Sequence, residues 1–203
     1  MTEDEFFAQF PVSRETAVRL HDYAELLVKW QARINLVGPA TLPDLWRRHM
    51  LDSAQLLPLL PSGPILDLGS GAGFPGMVLA ILRPDPVHLV ESDARKCAFL
   101  REVARVTKAN AVIHNRRIES LPPFPVSAVT ARALAPVASL LTLAEAFLAP
   151  STECLFLKGE KLEDELTAAA KDWKMTVERI QSQSDPHGII LRVKEVKRGP
   201  NQG

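Results

Sequence analysis

With 203 residues, the chain is long enough for one α/β domain with a full core and an additional element. Its 24 basic and 24 acidic residues cancel, so net charge neither demands nor forbids a polyanionic partner, and only a local patch could bind one. Charges and prolines cut every apolar stretch short of the roughly 18–20 residues of a membrane span, the acidic start Met1-Thr2-Glu3-Asp4-Glu5 is unlike a secretory signal, and Cys97 and Cys154 stand outside any metal or redox spacing.

Taken in chain order, the first sixty residues read as a helical extension. Ser13 can cap a helix that carries Leu20, Ala24, Leu27 and Ile34 near one face. Asn35, Gly38 and Pro39 break it. A second helix is predicted from Thr41 or Asp44 through Trp46, Met50, Ala54 and Leu57. Pro58, Pro61, Gly63 and Pro64 mark a boundary, and the core domain is assigned to 61–196. There the pattern alternates. Strands are predicted at 64–68, 87–91, 111–114, 126–130 and 154–158, and helices at 75–82, 94–107, 136–148 and 160–172. Such alternation implies right-handed crossovers and a parallel sheet. Met175 to Gln183 and Ile189 to Val196 read as two further strands, joined so tightly by Ser184-Asp185-Pro186-His187-Gly188 that they must be antiparallel. The tail 197–203 reads as disordered. A parallel α/β sheet ending in an antiparallel hairpin is the class I methyltransferase (Rossmann-like) sheet rather than the plain dinucleotide one.

Strand one runs into Asp67-Leu68-Gly69-Ser70-Gly71-Ala72-Gly73-Phe74-Pro75-Gly76. Glycines in such a turn let backbone N–H groups approach a ligand. Read loosely, this is the GxGxxG dinucleotide fingerprint. Asp67, however, is expected at the mouth of the site, where it would repel a pyrophosphate and attract an ammonium group. A nucleoside with a cationic amino-acid tail, S-adenosylmethionine, fits that charge. Glu91 closes the second strand at a distance suited to both ribose hydroxyls. After strand three, Ile118 could pack on an adenine face and Glu119 accept from its amine, or they could be a core and a surface residue. Phe74 could flank the ligand or staple helix to sheet. Pro75 suits a first helical turn.

Strand four delivers Arg132 to the same rim. It could clamp the methionine carboxylate, bind a phosphate or guanine edge, or be an ordinary surface arginine. Arg95, Lys96, Arg116, Arg117 and Lys158 map to the same side, and Arg33, Arg47, Arg48 and His49 add to it. Either a neutral protein carries one basic face for phosphates, or these charges are scattered and solvated. His49 with Asp52 and Arg48 with Asp52 have the spacing of helix salt pairs. No metal site is expected. A small-molecule or protein methyltransferase, a nicotinamide-dependent oxidoreductase and a cofactor-binding protein without turnover remain as rivals.

Several blocks together resemble the bacterial ribosomal RNA small subunit methyltransferase G family, also called glucose-inhibited division protein B. They are Trp30 to Val37, Arg48-His49-Met50-Leu51-Asp52-Ser53, the Asp67–Gly76 loop, Val90-Glu91-Ser92-Asp93 with Arg95-Lys96, Arg117-Ile118-Glu119, Ala131-Arg132-Ala133 and Leu157-Lys158-Gly159. The resemblance covers about residues 15 to 196. It implies methyl transfer from S-adenosyl-L-methionine to nitrogen 7 of one guanine in 16S rRNA, in the small ribosomal subunit or its assembly intermediate. It implies cofactor contacts by Gly69, Phe74, Ile118, Glu119 and Arg132, to which the strand ends add Asp67, Gly71 and Glu91. Arg132 is the positioning residue, and no general base is expected. Arg48, Arg95, Lys96, Arg116 and Lys158 are the candidate RNA contacts. A cytoplasmic monomer without membrane attachment is the corresponding expectation.

Overall fold

The structure, a computed structural model, describes residues 1–199. Helix α1 (Glu3–Gln9) opens with a capping box between Thr2 and Glu5, and Phe6 is its buried anchor. Helix α2 (Arg14–Gln31) is capped as predicted, with Ser13 Oγ accepting from Thr16 N at 3.1 Å. Leu20, Tyr23, Ala24 and Leu27 form its buried face, while Ile34 lies past its end. Burying each large apolar side chain is worth about 1.5–3 kcal/mol. That outweighs an exposed pair such as His21–Glu3, worth about 0–1 kcal/mol.

The predicted second helix is instead a series of short turns. A 3-10 turn (Pro39–Asp44), a π turn (Trp46–Leu51), the short α3 (Asp52–Ala54) and another 3-10 turn (Leu57–Leu59) follow one another. Pro43 and Pro58 lack the N–H that a continuous helix needs. The π turn, with less rotation per residue, keeps His49, Met50 and Leu51 all buried in succession.

Beyond Pro64 the alternation appears as predicted: β1 (Ile65–Leu68), α4 (Gly76–Leu82), β2 (Val87–Glu91), α5 (Ala94–Thr107), β3 (Ala111–Asn115), β4 (Ala128–Arg132), α6 (Val137–Ala144), β5 (Glu153–Lys158) and α7 (Leu162–Ala169). The hairpin strands are β6 (Trp173–Gln181) and β7 (Ile189–Arg198). Seven strands form one sheet in the order β3-β2-β1-β4-β5-β7-β6. The first five are parallel, and β7 runs antiparallel to both of its neighbours. This is the predicted class I methyltransferase sheet. The tail needs correcting: Lys197 and Arg198 pair with Lys174 and Trp173, and the Arg198 guanidinium lies 4.2 Å from the Trp173 ring centre. Residues 200–203 of that predicted tail lie outside the described residues.

Both faces of the sheet are covered, so its central strands are buried along nearly their whole length rather than alternately, with Asp67 and Thr130 as buried polar members. Ile65, Leu89 and Ala128 face one core with α2, α4, α5 and the turns of residues 39–59. Leu66, Leu68, Val129 and Phe156 face the other with α6 and α7. The amino-terminal extension thus shares a core with the sheet, from Phe6 to Val103.

The glycine turn is seated from below. Tyr23 Oη donates to the Ala72 carbonyl at 2.5 Å. Gly73 has φ +99°, and a Cβ there would meet Tyr23 Oη at 2.6 Å and Met77 Cβ at 2.7 Å. Asp67 is fully buried beneath the turn rather than at the mouth of the site. Thr130 Oγ1 on the adjacent strand donates to its Oδ1 at 2.8 Å. Among the described residues its Oδ2 has no well-formed hydrogen bond, and it abuts Gly76, where a Cβ would sit 2.6 Å away. Burial pushes its pKa from 3.8 up to about 6.

Two outcomes follow. Gly73→Ala is expected to lower unfolding free energy by about 2 kcal/mol or more in urea titration, from the left-handed backbone and the clash together. Between about pH 4 and 6 the unfolded chain has released the Asp67 proton and the folded chain has kept it. This group's contribution to stability therefore falls as pH rises through that window, by at most about 3 kcal/mol. Asp67→Asn is expected to remove that part of the slope in denaturation curves taken from pH 4 to 7.

Candidate active site

Strand order reverses between β1 and β4, and a cleft opens there beyond the carboxyl ends of the strands. A cavity of about 300 Å³ is lined by Gly69, Gly71, Glu91, Ile118, Glu119 and Arg132, among others. Six of the eight predicted cofactor residues therefore meet in one place. Gly69 and Gly71 have φ of +61° and +57°. A Cβ at Gly71 would find nothing nearer than 3.9 Å, so this glycine leaves open space on the cavity side. Glu91 fastens the turn: its Oε2 accepts from Gly71 N at 2.9 Å and its Oε1 from Asp93 N at 2.7 Å. Each oxygen keeps a lone pair for a further donor. Ile118 begins a 3-10 turn (Ile118–Ser120) whose start reaches the cleft, with Glu119 exposed beside it.

Asp67 and Phe74 are absent from that lining. Phe74 is buried between Tyr23 and His49, with ring centres 5.2 and 4.9 Å away and planes inclined by 19° and 26°. The stapling alternative describes its side chain. The physical reason is the same for both residues: the turn folds back over the start of α4 and closes them underneath.

A second cavity, of about 490 Å³, lies on the far side of Arg132. Its walls include Thr41, His49 and Asp52 of the extension, Lys158 at the end of β5, and Ser182, Ser184 and Asp185 of the hairpin turn. Arg132 lines both cavities. Its Nη1 donates to the Arg48 carbonyl at 3.1 Å and to Asp52 Oδ2 at 3.3 Å, and its guanidinium carbon stands 5.0 Å from the Phe74 ring centre. The next residue, Ala133, has φ +50°, a left-handed conformation that costs about 1–2 kcal/mol for a residue with a Cβ.

The predicted helix salt pairs do not form, because the segment is a π turn and better partners lie elsewhere. Arg48 pairs with Asp185 at 3.0 Å. Asp52 binds Arg132, and its Oδ1 accepts from Ser184 Oγ at 2.6 Å. His49 Nε2 meets Thr41 Oγ1 at 2.8 Å, and Nδ1 has no partner. Burial, with the charges of Arg132 and Arg48, pushes its pKa down to about 3, so the imidazole is neutral. Gln55 completes the connection: its Oε1 accepts from Gln183 N at 2.7 Å, and its Nε2 donates to Ser182 Oγ at 3.1 Å. Asp52, Gln55, Ser182 and Ser184 went unrecognised as site residues. Ser and Asp in a Pro- and Gly-containing turn read as turn formers, and no local spacing reveals a partner 132 positions away.

The single basic face also needs revision. Lys158 is nearly buried, pairing with Glu165 at 2.5 Å and donating to the Ala135 carbonyl at 3.0 Å, so it is no surface contact. Arg95 is exposed, 3.6 Å from Asp93. Lys96, Arg116 and Arg117 line the first cavity. Both cysteines are buried free thiols. Among the described residues no helix is long and apolar enough to cross a membrane, and no group of three or more His, Cys, Asp or Glu side chains could hold a metal ion.

Comparison with known proteins agrees with this architecture. Solved structures that share the fold include a putative O-methyltransferase from Klebsiella pneumoniae, with a TM-score of 0.61 at 14% identity over 94% of each chain. Magnesium protoporphyrin IX methyltransferase from Synechocystis with bound SAM has a TM-score of 0.60 at 12% identity, covering 91% of this chain and 98% of its own. Relatives named ribosomal RNA small subunit methyltransferase G are far nearer in sequence. The one from Paramagnetospirillum magneticum is 59% identical over the full length of both chains, and the one from Rhodospirillum rubrum is 58% identical over 98% of this chain and 100% of its own. The family profile described as rRNA small subunit methyltransferase G matches residues 17–188. By its sequence, along nearly its whole length, this chain belongs to the rRNA small subunit methyltransferase G family.

Proposed function

We propose that the chain transfers a methyl group from S-adenosyl-L-methionine to nitrogen 7 of one guanine in the 16S rRNA of the small ribosomal subunit or its assembly intermediate, acting as a cytoplasmic monomer. One observation carries this reading within the family: two cavities meet at the single side chain of Arg132. The residues of the first cavity suit the cofactor. Gly71 leaves room for its amino-acid part, Gly69 gives the turn a left-handed backbone packed on Leu134, Glu91 has lone pairs for the ribose hydroxyls, Ile118 offers an apolar face to the adenine, and Glu119 an acceptor to its amine. Asp67 and Phe74 support the turn from behind. When bound, the cofactor supplies a methyl group on a sulfonium.

The second cavity suits the target base. Nitrogen 7 of guanine has a lone pair and no proton, so no side chain has to remove one, and a neutral His49 is compatible with that. Alignment is then the main task. Arg132, held by Asp52 and the Arg48 carbonyl, fixes the boundary across which the two ligands approach. Methylation leaves a cationic purine. Around this cavity Asp52, Glu165 and Asp185 offset Arg132, Lys158 and Arg48, so the developing positive charge meets no net cationic field.

The test is incubation with methyl-tritiated S-adenosylmethionine and small subunits from a strain lacking the enzyme, followed by borohydride reduction and aniline cleavage. Label in the RNA with one new cut is expected. Label without a cut discards nitrogen 7, and no label on subunits or free 16S rRNA overturns the reading. In the same assay Arg132→Ala is expected to reduce kcat by about 100-fold and, because Asp52 loses its partner, to lower the urea midpoint as well, so kcat is measured under conditions where circular dichroism shows the variant folded. Gly71→Val, a β-branched residue at positive φ aimed into the first cavity, is expected to weaken cofactor binding at least about tenfold by calorimetry.

A further inference from the structure

The cations at the carboxyl end of the sheet fall into two sets. Around the second cavity most are neutralised: Arg48 by Asp185, Lys158 by Glu165 and Arg132 by Asp52. Where α5 starts and α2 ends, the reverse holds. Lys29, Arg33, Lys96, Arg116 and Arg117 form no ion pair among the described residues. Arg95 is 76% exposed, and the Asp93 carboxylate beside it already accepts from the backbone of Arg95 and Lys96 as a helix cap.

These free cations are contiguous. Lys96 lines the first cavity together with Arg116 and Arg117. Arg95, its neighbour on the first turn of α5, lines a shallow groove of about 240 Å³ whose other wall is Lys29, Trp30, Arg33 and Ile34. Helices α2 and α5 run antiparallel. Arg19, near the start of α2, donates to the Thr107 carbonyl at the end of α5 at 2.6 Å, and Trp30, near the end of α2, meets Phe99 at 5.6 Å. The groove therefore sits at the same end of the sheet as the cofactor cleft. Cations on both walls, with an aromatic ring on one of them, form an arrangement that holds single-stranded nucleic acid, the charges following phosphates and the ring receiving a base.

We infer that the RNA strand flanking the target base runs from the rim of the first cavity across the start of α5 and into the groove between α5 and α2. Lys29, Arg33 and Arg95 contact its phosphates, and Trp30 stacks on one of its bases. The second cavity, whose cations are largely spent on carboxylates, receives the uncharged base alone. This rests on the reading of the chain as a 16S rRNA methyltransferase.

The test is the triple variant Lys29→Gln/Arg33→Gln/Arg95→Gln, three exposed positions outside the cofactor and base cavities. In the methylation assay on small subunits, KM for the subunit is expected to rise about tenfold or more near physiological salt, with kcat and cofactor affinity unchanged. The slope of log affinity against log salt is expected to fall by roughly two to three. Trp30→Phe, which keeps the packing on Phe99, is expected to retain most of the parent affinity, and Trp30→Ala to lose it without a change in salt slope. Unchanged KM and salt slope in the triple variant overturn the inference. So does weakened binding to the intact subunit with unchanged binding to free 16S rRNA, which would assign the groove to a ribosomal protein. If the parent protein methylates neither substrate, the functional reading fails, and anisotropy with labelled 16S rRNA then judges the groove by itself. Binding lost in the triple variant supports it, and binding retained overturns it.

Discussion

The contact between Arg132 and Asp52 is the constraint on which the rest of the site depends. Arg132 belongs to the sheet, Asp52 to the amino-terminal extension, and Asp52 also holds Ser184 of the carboxyl-terminal hairpin. Three parts of the chain, far apart in sequence, thus converge on one carboxylate. Neither member is exposed enough for solvent to replace the other cheaply, at 19% and 17% side-chain exposure. Such a pair contributes more to the uniqueness of the arrangement than to net stability, because much of its attraction offsets desolvation. The left-handed Ala133 points the same way. A backbone conformation with a cost is kept where the chain turns away just after Arg132, as functional sites commonly require.

Much of the fold was legible in the sequence for a simple reason. From Ile65 to Lys158 short, mostly apolar strands alternate with helices, β3 and β4 being joined by a 3-10 turn instead, so local pattern and global topology agree. The hairpin was legible because seven residues between Gln181 and Ile189 leave no length for a crossover. The segment from Pro39 to Leu59 was not. Its apolar spacing suits a continuous helix, but two prolines and the need to bury three successive residues override that period. The residues of the first cavity were legible where they close a strand, as at Glu91 and Arg132. Asp67 shows the limit of that logic. A strand end can face the cleft or lie under the turn that follows it, and the choice depends on a donor from the neighbouring strand, here Thr130.

Charge was the least legible quantity. A tally of lysines and arginines at one end of the sheet implies a uniform basic face. The three-dimensional partners divide it: Glu165 reaches Lys158 from the next helix, and Asp185 and Asp52 reach Arg48 and Arg132 from elements that no local window connects to them. A neutral chain can therefore hold both a charge-compensated pocket and an uncompensated strip of surface within one rim.

The hairpin turn that closes the second cavity follows, in sequence, every residue that lines the first. Every residue lining the first cavity lies between Gly69 and Leu143, whereas Ser182 to Ile189 form one wall of the second. During translation, from the amino terminus onward, the nucleoside-shaped cleft has all its residues some forty positions before the base-shaped one does. In the order of synthesis, the residues of the first cavity thus precede those that complete the second.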